Sequence, residues 1–254
     1  MREIKYTSLE SRELWSRDAT TYDSYIQEEL NDFHKKVWQD ELLKVCSDKN
    51  ARILDIGTGP GFFPVILGEL GYHVTGIDLA GHMMEIARIN IKKAGLEDRC
   101  SILERDALHT EFEQDSFDLI INRNVTWTLE DPQRAYREWK RILRPGGKLL
   151  IFDSPWFHYL WDEAEDRKRK EFLAEYHERT GEIHDSYEEN NAEDPYRKGR
   201  PLSAVIRPRW DLDMLMSLGF QHAEAAENVG DYLYSEEEQY RYSITPMFRI
   251  LAVK

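Results

Sequence analysis

Up to Cys46 the apolar positions recur three and four residues apart. Leu9, Leu14 and Trp15 come first; beyond Asp18-Ala19-Thr20-Thr21 follow Tyr25, Ile26, Leu30, Phe33, Val37, Trp38, Leu42 and Val45. That spacing lays an apolar stripe along a helix and predicts two core-covering helices with a break near residues 18–21. From residue 51 the texture changes to short apolar runs alternating with amphipathic stretches. Residues 51–56, 73–77, 100–104, 117–122 and 148–153 read as five strands. Residues 62–70, 82–94 and 133–143 read as helices, stopped by Gly71, by Gly95 and by Arg144-Pro145-Gly146-Gly147. Short buried strands alternating with helices of about ten residues predict parallel strands with right-handed crossovers on both faces. The fold class is therefore α/β, a doubly wound, mostly parallel sheet. In such a sheet a ligand lies beyond the carboxyl ends of the strands, where the strand order reverses.

After Asp153 the alternation stops. The segment 155–199 holds a charge-dense helix over 161–179 and a polar, acidic loop over 182–194; no low-complexity linker bounds it. Helical periodicity resumes over 210–218 and stops at Gly219. Residues 220–228 and 247–253 then read as an antiparallel strand pair at the sheet edge. The organisation that follows is N-terminal helices over 1–48 covering the ligand site, a ligand-binding core over 49–154, an inserted helical cap over 155–209, and over 210–254 a last helix and strand pair completing the core.

Composition narrows the function. Hydrophobic residues make up 41% of the chain and charged residues 32%, which is ordinary for a water-soluble globular protein. Aromatics reach 12% with seven Trp, a surplus that suits a pocket for a flat or partly apolar small molecule. No apolar stretch approaches the ~20 residues needed to cross a bilayer, and residues 1–10 carry charges of both signs without a signal-peptide core. Cys46 and Cys100 show neither metal-ligand spacing nor a disulfide framework, so no metal is expected and a reducing cytoplasm is. A net charge of -14 argues against a grip on nucleic-acid phosphates.

The strongest chemical signal is Asp55-Ile56-Gly57-Thr58-Gly59-Pro60-Gly61, directly after the first strand. Glycines there let the backbone turn sharply and let a ligand approach without a Cβ in the way. The helix starting at Phe62 offers a positive dipole end to an anionic group. Counted from Gly57, a dinucleotide fingerprint needs glycine at position 62, which is Phe62, and no Walker lysine follows; neither nucleotide motif fits. Asp78, at the end of strand two, is placed to accept bonds from both hydroxyls of a ribose. Asp106, after strand three, is placed to accept from an adenine amino group, or serves as a turn aspartate.

Taken in order, these residues resemble the S-adenosylmethionine (SAM)-binding core of class I methyltransferases, small-molecule branch. Ile53-Leu54-Asp55-Ile56-Gly57-Thr58-Gly59-Pro60-Gly61 is similar to the family's first motif. Asp78 matches its ribose acid and Asp106 its adenine-side acid. Phe117-Asp118-Leu119-Ile120-Ile121 resembles the fourth-strand motif, and Leu143-Arg144-Pro145-Gly146-Gly147-Lys148-Leu149 the turn into strand five. The resemblance covers residues 51 to 153 and implies seven strands with the last antiparallel. It also implies a SAM-dependent methyltransferase whose product is S-adenosylhomocysteine. Trp15-Ser16-Arg17-Asp18-Ala19 with Tyr22-Asp23 resembles the segment that closes over SAM in many members. The cofactor residues implied are Asp55, Gly57, Thr58, Gly59, Pro60, Gly61, Asp78, Leu79, Met83, Asp106, Ala107, Asn122, Arg123 and Tyr22.

On the acceptor side, Asn122, Arg123, Asn124 and Trp127 follow strand four, and Asp153, Trp156, His158, Tyr159 and Trp161 follow strand five. His158 is the base candidate, with Tyr22 as a second catalytic candidate; Trp127, Trp156 and Tyr159 are acceptor-side candidates. Residues 161–199 carry thirteen acidic and seven basic residues, whereas Arg197, Lys198, Arg200, Arg207 and Arg209 have no acid between them. Arg207 and Arg209, if they line the cleft, point to an anionic small-molecule acceptor. No Asp/Asn-Pro-Pro-Tyr/Phe follows strand four, no cysteine follows a proline and no acid cluster follows strand four, which disfavours nucleic-acid and metal-dependent catechol-type relatives. No membrane and no nucleic-acid partner are expected, and the protein is a monomer or homodimer. A protein substrate and a non-catalytic SAM-binding regulator are the alternatives.

Overall fold

The computed structural model describes residues 8–182, 184 and 195–254. Most of the acidic loop expected over 182–194 lies outside the described residues. Helices α1 (Ser8–Asn31) and α2 (Phe33–Val45) precede β1 (Arg52–Ile56), α3 (Phe62–Glu69), β2 (His73–Asp78), α4 (Gly81–Lys93), β3 (Cys100–Glu104) and β4 (Phe117–Arg123). Then come α5 (Pro132–Ile142), β5 (Leu143–Asp153), α6 (Glu163–Thr180), α7 (Pro195–Lys198) and α8 (Arg209–Ser217). β6 (His222–Ala226), α9 (Gly230–Leu233), α10 (Glu236–Arg241) and β7 (Phe248–Val253) finish the chain.

The seven strands form one sheet in the order β3-β2-β1-β4-β5-β7-β6. β1 to β5 run parallel, and β7 pairs antiparallel with both β5 and β6. Successive side chains on a strand face opposite ways, and both faces are covered. Ile53, Leu119, Ile121, Leu150 and Phe152 pack with Trp38, Phe62 and Phe63 on one side. Leu54, Ile120, Leu149 and Ile151 pack with Tyr136, Trp139 and Leu215 on the other. Two-sided burial is why the strands read as continuous apolar runs. The order reverses between β1 and β4, so the crevice opens above the ends of those two strands.

Two expectations about boundaries are corrected. α1 runs unbroken through residues 18–21, because Ala19 is fully buried against Ala80 and Met83 while the polar neighbours face outward. The break falls instead at Asp32, whose carboxylate accepts from His34 N at 2.9 Å and caps α2. The ladder of β5 extends back from residue 148 to Leu143, which pairs with Phe117 across a register shift. Gly146 takes φ 74° there, and a Cβ at Gly147 would lie 2.8 Å from Arg144 O, so glycine is required at both.

The same Asp32 helps tie α2 to α10. His34 is buried, with Nδ1 at 2.7 Å from Asp32 Oδ2 and Nε2 at 2.8 Å from Glu238 Oε2. Glu238 also completes a capping box with Ser235 at the start of α10. Burial alone would lower the His34 pKa, but bonds to Glu238 and Asp32 prevail and raise it to about 9. A raised pKa gives stability that is complete below the unfolded value near 6.5 and lost as pH climbs through about 9. The unfolding free energy from urea titrations is expected to drop by about 3 kcal/mol over that window. His34→Gln should lack the drop, and equal pH slopes for the two proteins would show that His34 is uncharged in the fold.

Candidate active site

The turn after β1 is built on three positive-φ glycines, Gly57 at 66°, Gly59 at 52° and Gly61 at 90°. Thr58 N donates to Ile77 O at 3.0 Å and Gly61 N to Thr58 O at 2.9 Å, which pins the turn between β1 and β2. Each glycine meets a different neighbour. A Cβ at Gly57 would stand 2.4 Å from Val125 Cγ2, so the loop after β4 packs directly on the turn. At Gly61 it would lie 3.2 Å from Ala87 Cβ of α4. At Gly59 it would meet only the Tyr22 ring at 3.8 Å and Met83 Sδ at 3.9 Å. The space above Gly59 is thus bounded by a ring from α1 and a sulfur from α4.

Asp78 closes the turn from the second strand. Its Oδ2 accepts from Gly59 N and its Oδ1 from Ala80 N, each at 2.9 Å. Removal from water pushes its pKa up, and the amides of Ala80, Gly59 and Leu79 restrain the rise. Asp55, 2% exposed, is pushed up to about 7 by burial, with Asp78 adding repulsion against the restraint of Thr58 and Arg123. At the carboxyl end of β4 and just after it, both ends of the Asn122 amide and Asn124 Oδ1 are buried without a hydrogen-bond partner. Native interiors seldom leave such groups unmet, so their clustering marks a place for a polar ligand. Asp106 lies further along, with Oδ1 accepting from Leu108 N at 2.8 Å; the neighbouring Ala107 O accepts from Trp139 Nε1 at 2.9 Å.

α1 lies across the crevice. His82 Nδ1 stands 3.2 Å from Ser16 O, and Asn90 Nδ2 donates to Asp23 Oδ1 at 2.9 Å and to Pro60 O at 3.0 Å. Arg123, the last residue of β4, donates to both oxygens of Glu29 at 3.0 and 2.8 Å and sits 4.3 Å from the Phe62 ring centroid. Burial raises the Tyr22 pKa, with Arg123 opposing, so Tyr22 is held as a neutral phenol. Glu29 and Asn90 escaped the sequence reading, since each acts through contacts that no local motif encodes.

The acceptor-side candidates divide into two groups. Trp127, after β4, has its ring 6.1 Å from Trp15 and 5.2 Å from Phe157, while Trp156 and Tyr159 flank Phe157 at 6.5 and 6.2 Å. His158 Nδ1 stands 3.2 Å from Ser203 O. A carbonyl only accepts, so Nδ1 carries a proton, which in the neutral tautomer places the lone pair on Nε2. Arg207 belongs elsewhere. It is buried and bonds Asp153 Oδ2 at 3.0 Å, Asp211 Oδ2 at 2.9 Å and Thr126 Oγ1 at 2.6 Å. Asp153 also accepts from Thr126 Oγ1 and Trp127 N, and Tyr136 donates to Asp211. Arg209 points into solvent and pairs with Asp213 at 3.0 Å. Neither arginine supplies an unpaired charge to the crevice. The signal was in the sequence: each arginine has an aspartate four residues on, the helical pairing distance.

A glycine turn with an acid closing it from the next strand, at the reversal point of a doubly wound sheet, defines a nucleoside-binding α/β protein. Residues 54–151 match the family described as methyltransferase domain. Methyltransferase GfsG of Streptomyces halstedii is 37% identical over 103 residues, which are 40% of this chain and 37% of that protein. A demethylmenaquinone methyltransferase of Thermus thermophilus is 38% identical over 106 residues, 41% of this chain and 47% of that protein. The chain thus spans less than half the length of these curated relatives. Among solved structures, a Methanococcus maripaludis protein described as an S-adenosyl-L-methionine-dependent methyltransferase superposes with a TM-score of 0.62 at 23% identity. That alignment covers 100% of this chain and 97% of the other, and shows a shared fold. Over residues 54–151 the chain is thus similar to methyltransferases, and its fold is that of the S-adenosyl-L-methionine-dependent methyltransferase structure. Its residues fit SAM: Gly59 puts no side chain between the turn and Tyr22 or Met83, and the unpartnered Asn122 amide offers both a donor and an acceptor. Among the described residues, no helix is long and apolar enough to cross a membrane.

Proposed function

We propose that the chain transfers a methyl group from SAM to a small-molecule acceptor held between α1, the loop after β4 and the segment after β5. The observation that carries this is the glycine turn that Asp78 closes, with the unpartnered Asn122 amide at the end of the neighbouring β4. In this reading Asp78 accepts from the ribose hydroxyls, while Leu79, Asp106 and Ala107 hold the base. The backbone of residues 57–61 approaches the ligand closely, and Met83, Tyr22, Asn122 and Arg123 bound it. When bound, the cofactor supplies a methyl group already activated on a sulfonium. The chain's own residues then have to align an acceptor and exclude water. Trp127, Trp156 and Tyr159 form the aromatic side of that enclosure. His158, as its neutral tautomer with Nδ1–H on Ser203 O, takes a proton from the acceptor at Nε2. Tyr22, partly buried and with its pKa raised, acts as a hydrogen-bond donor rather than as a base. A small-molecule acceptor is supported by the demethylmenaquinone methyltransferase among the relatives. The anionic character read from Arg207 and Arg209 finds no support in those side chains, since both are paired with aspartates.

Thermal unfolding with and without S-adenosylhomocysteine tests the cofactor. At a hundred times its Kd the ligand is expected to add ~2.7 kcal/mol, a rise in Tm of roughly 5–10 °C for a chain of this size. Methyl transfer from labelled SAM to a panel of small metabolites then tests turnover, with His158→Asn expected to reduce kcat at neutral pH by roughly 100-fold. No shift at millimolar ligand overturns the proposal.

A further inference from the structure

Trp127 is the central ring of an aromatic wall, edge-on to Trp15 of α1 at 6.1 Å, to Phe157 at 5.2 Å and to Tyr196 of α7 at 6.5 Å. It is carried by a single 3₁₀ turn over Thr126–Thr128, closed by Thr128 N on Val125 O at 2.9 Å and Leu129 N on Thr126 O at 3.2 Å. So short a turn has poor hydrogen-bond geometry and does not fix a large side chain by itself. Its place is set from outside. On one side Val125 rests on Gly57; on the other, Trp127 N donates to Asp153 Oδ2 at 3.0 Å and Arg200 Nη1 to Thr128 O at 2.8 Å. Asp153 Oδ2 also accepts from Thr126 Oγ1 and, at 3.0 Å, from Arg207 Nη1. Arg207 Nη2 in turn donates to Thr126 Oγ1 at 2.6 Å.

A carboxylate only accepts and a guanidinium only donates. The Thr126 hydroxyl between them therefore has one arrangement, its proton toward Asp153 and a lone pair toward Arg207, and it closes a ring of three groups. Arg207 ends the segment 200–207 between α7 and α8, which also reaches the residues after β5. There Ser203 O faces His158 Nδ1 at 3.2 Å, and Ser203 Oγ accepts from Trp161 Nε1 at 3.0 Å. The turn bearing Trp127 and the segment that holds His158 are thus joined at Thr126. Stability is a poor reason for such a ring. Asp153 and Asp211 set two buried carboxylates against one guanidinium, and apolar packing of the same volume holds a fold as well or better. What a satisfied buried network adds is fixed geometry. We infer that Thr126, which has no exposed surface, is a positioning residue of the site: its hydroxyl locks Asp153 to Arg207 and so sets Trp127 and His158 relative to each other. This rests on the methyltransferase reading of the same site.

Fluorine NMR of the full chain labelled with 5-fluorotryptophan reads the seven Trp separately, and Trp127→Phe and Trp38→Phe identify two of the signals. Thr126→Val keeps the side-chain shape and removes the hydroxyl. It is expected to displace the Trp127 signal and to leave that of Trp38, fully buried beside Phe62 and Phe63, where it was. With labelled SAM and the panel metabolite that the wild type turns over fastest, the same variant is expected to lose about tenfold in kcat/KM for the acceptor, with KM for SAM unchanged. Thr126→Ser keeps the hydroxyl and is expected to restore both the signal and the rate. A merely structural Thr126 would lower Tm in Thr126→Val and move neither readout well below Tm. A prior titration with S-adenosylhomocysteine keeps the two ideas apart. No binding there removes the methyltransferase reading and this inference with it. Binding there overturns this inference alone if Thr126→Val leaves either the Trp127 signal or the acceptor kcat/KM as in the wild type.

Discussion

Replacing Asp78 with alanine is expected to remove most of the stabilisation that S-adenosylhomocysteine gives. The wild-type carboxylate holds Gly59 N and Ala80 N at 2.9 Å each, and so sets the backbone on which the cofactor would rest. Hydrogen bonds to a charged group contribute about 1.5–3 kcal/mol, which corresponds to a loss of roughly 10- to 100-fold in affinity. At a ligand concentration that adds ~2.7 kcal/mol to the wild type, the variant would gain only about 0.4–1.4 kcal/mol. Asparagine is no substitute, because one of the two amide N–H groups would then face a side-chain NH2. An Asp78→Ala protein with the wild-type ligand shift in Tm would remove Asp78 from the cofactor site.

The largest loss of stability is expected at Arg207. Its guanidinium is fully buried between Asp153 and Asp211, both with no exposed surface. Arg207→Gln leaves two buried carboxylates without their counter-charge, a change that typically costs about 3–5 kcal/mol. For a chain of this length that is a fall in Tm of roughly 6–20 °C. Arg209→Gln is the control, since its side chain is 77% exposed and its ion pair with Asp213 is solvent-screened. Its effect should stay within about 0.5 kcal/mol. Thermal scans of the two variants side by side decide the point; an Arg207→Gln protein that melts with the wild type would show that the cluster carries no net stability.

That contrast shows where sequence reasoning reaches its limit. The five parallel strands were legible because burial on both faces leaves each as an apolar run, and the glycine turn because positive φ leaves few other residues possible. The site acids Asp55 and Asp78 follow from their place at strand ends. Arg207 was misplaced because a run of basic residues looks alike whether it faces a ligand or two buried aspartates. The interior of α1 was broken too early, since Thr20 and Thr21 weaken a helix locally while Ala19 is anchored by Ala80 and Met83, distant in sequence. α9 and α10 were missed because they are short, although Ser235 with Glu238 is a helix-start pattern that could have flagged α10. The aromatic wall was half visible: Trp127 and Trp156 stood in the right segments, but nothing local joins Trp15 or Tyr196 to them.

Val125 rests on Gly57 so closely that an added Cβ would come within 2.4 Å of it. The two positions therefore share one volume, and neither is free to drift alone. A side chain at residue 57 would have to displace Val125 as well as accept a positive φ, while growth at 125 pushes the turn itself. Divergence at this end of the sheet is thus constrained as a pair, and the loop after β4 inherits the glycine turn's intolerance of change without containing any glycine of its own.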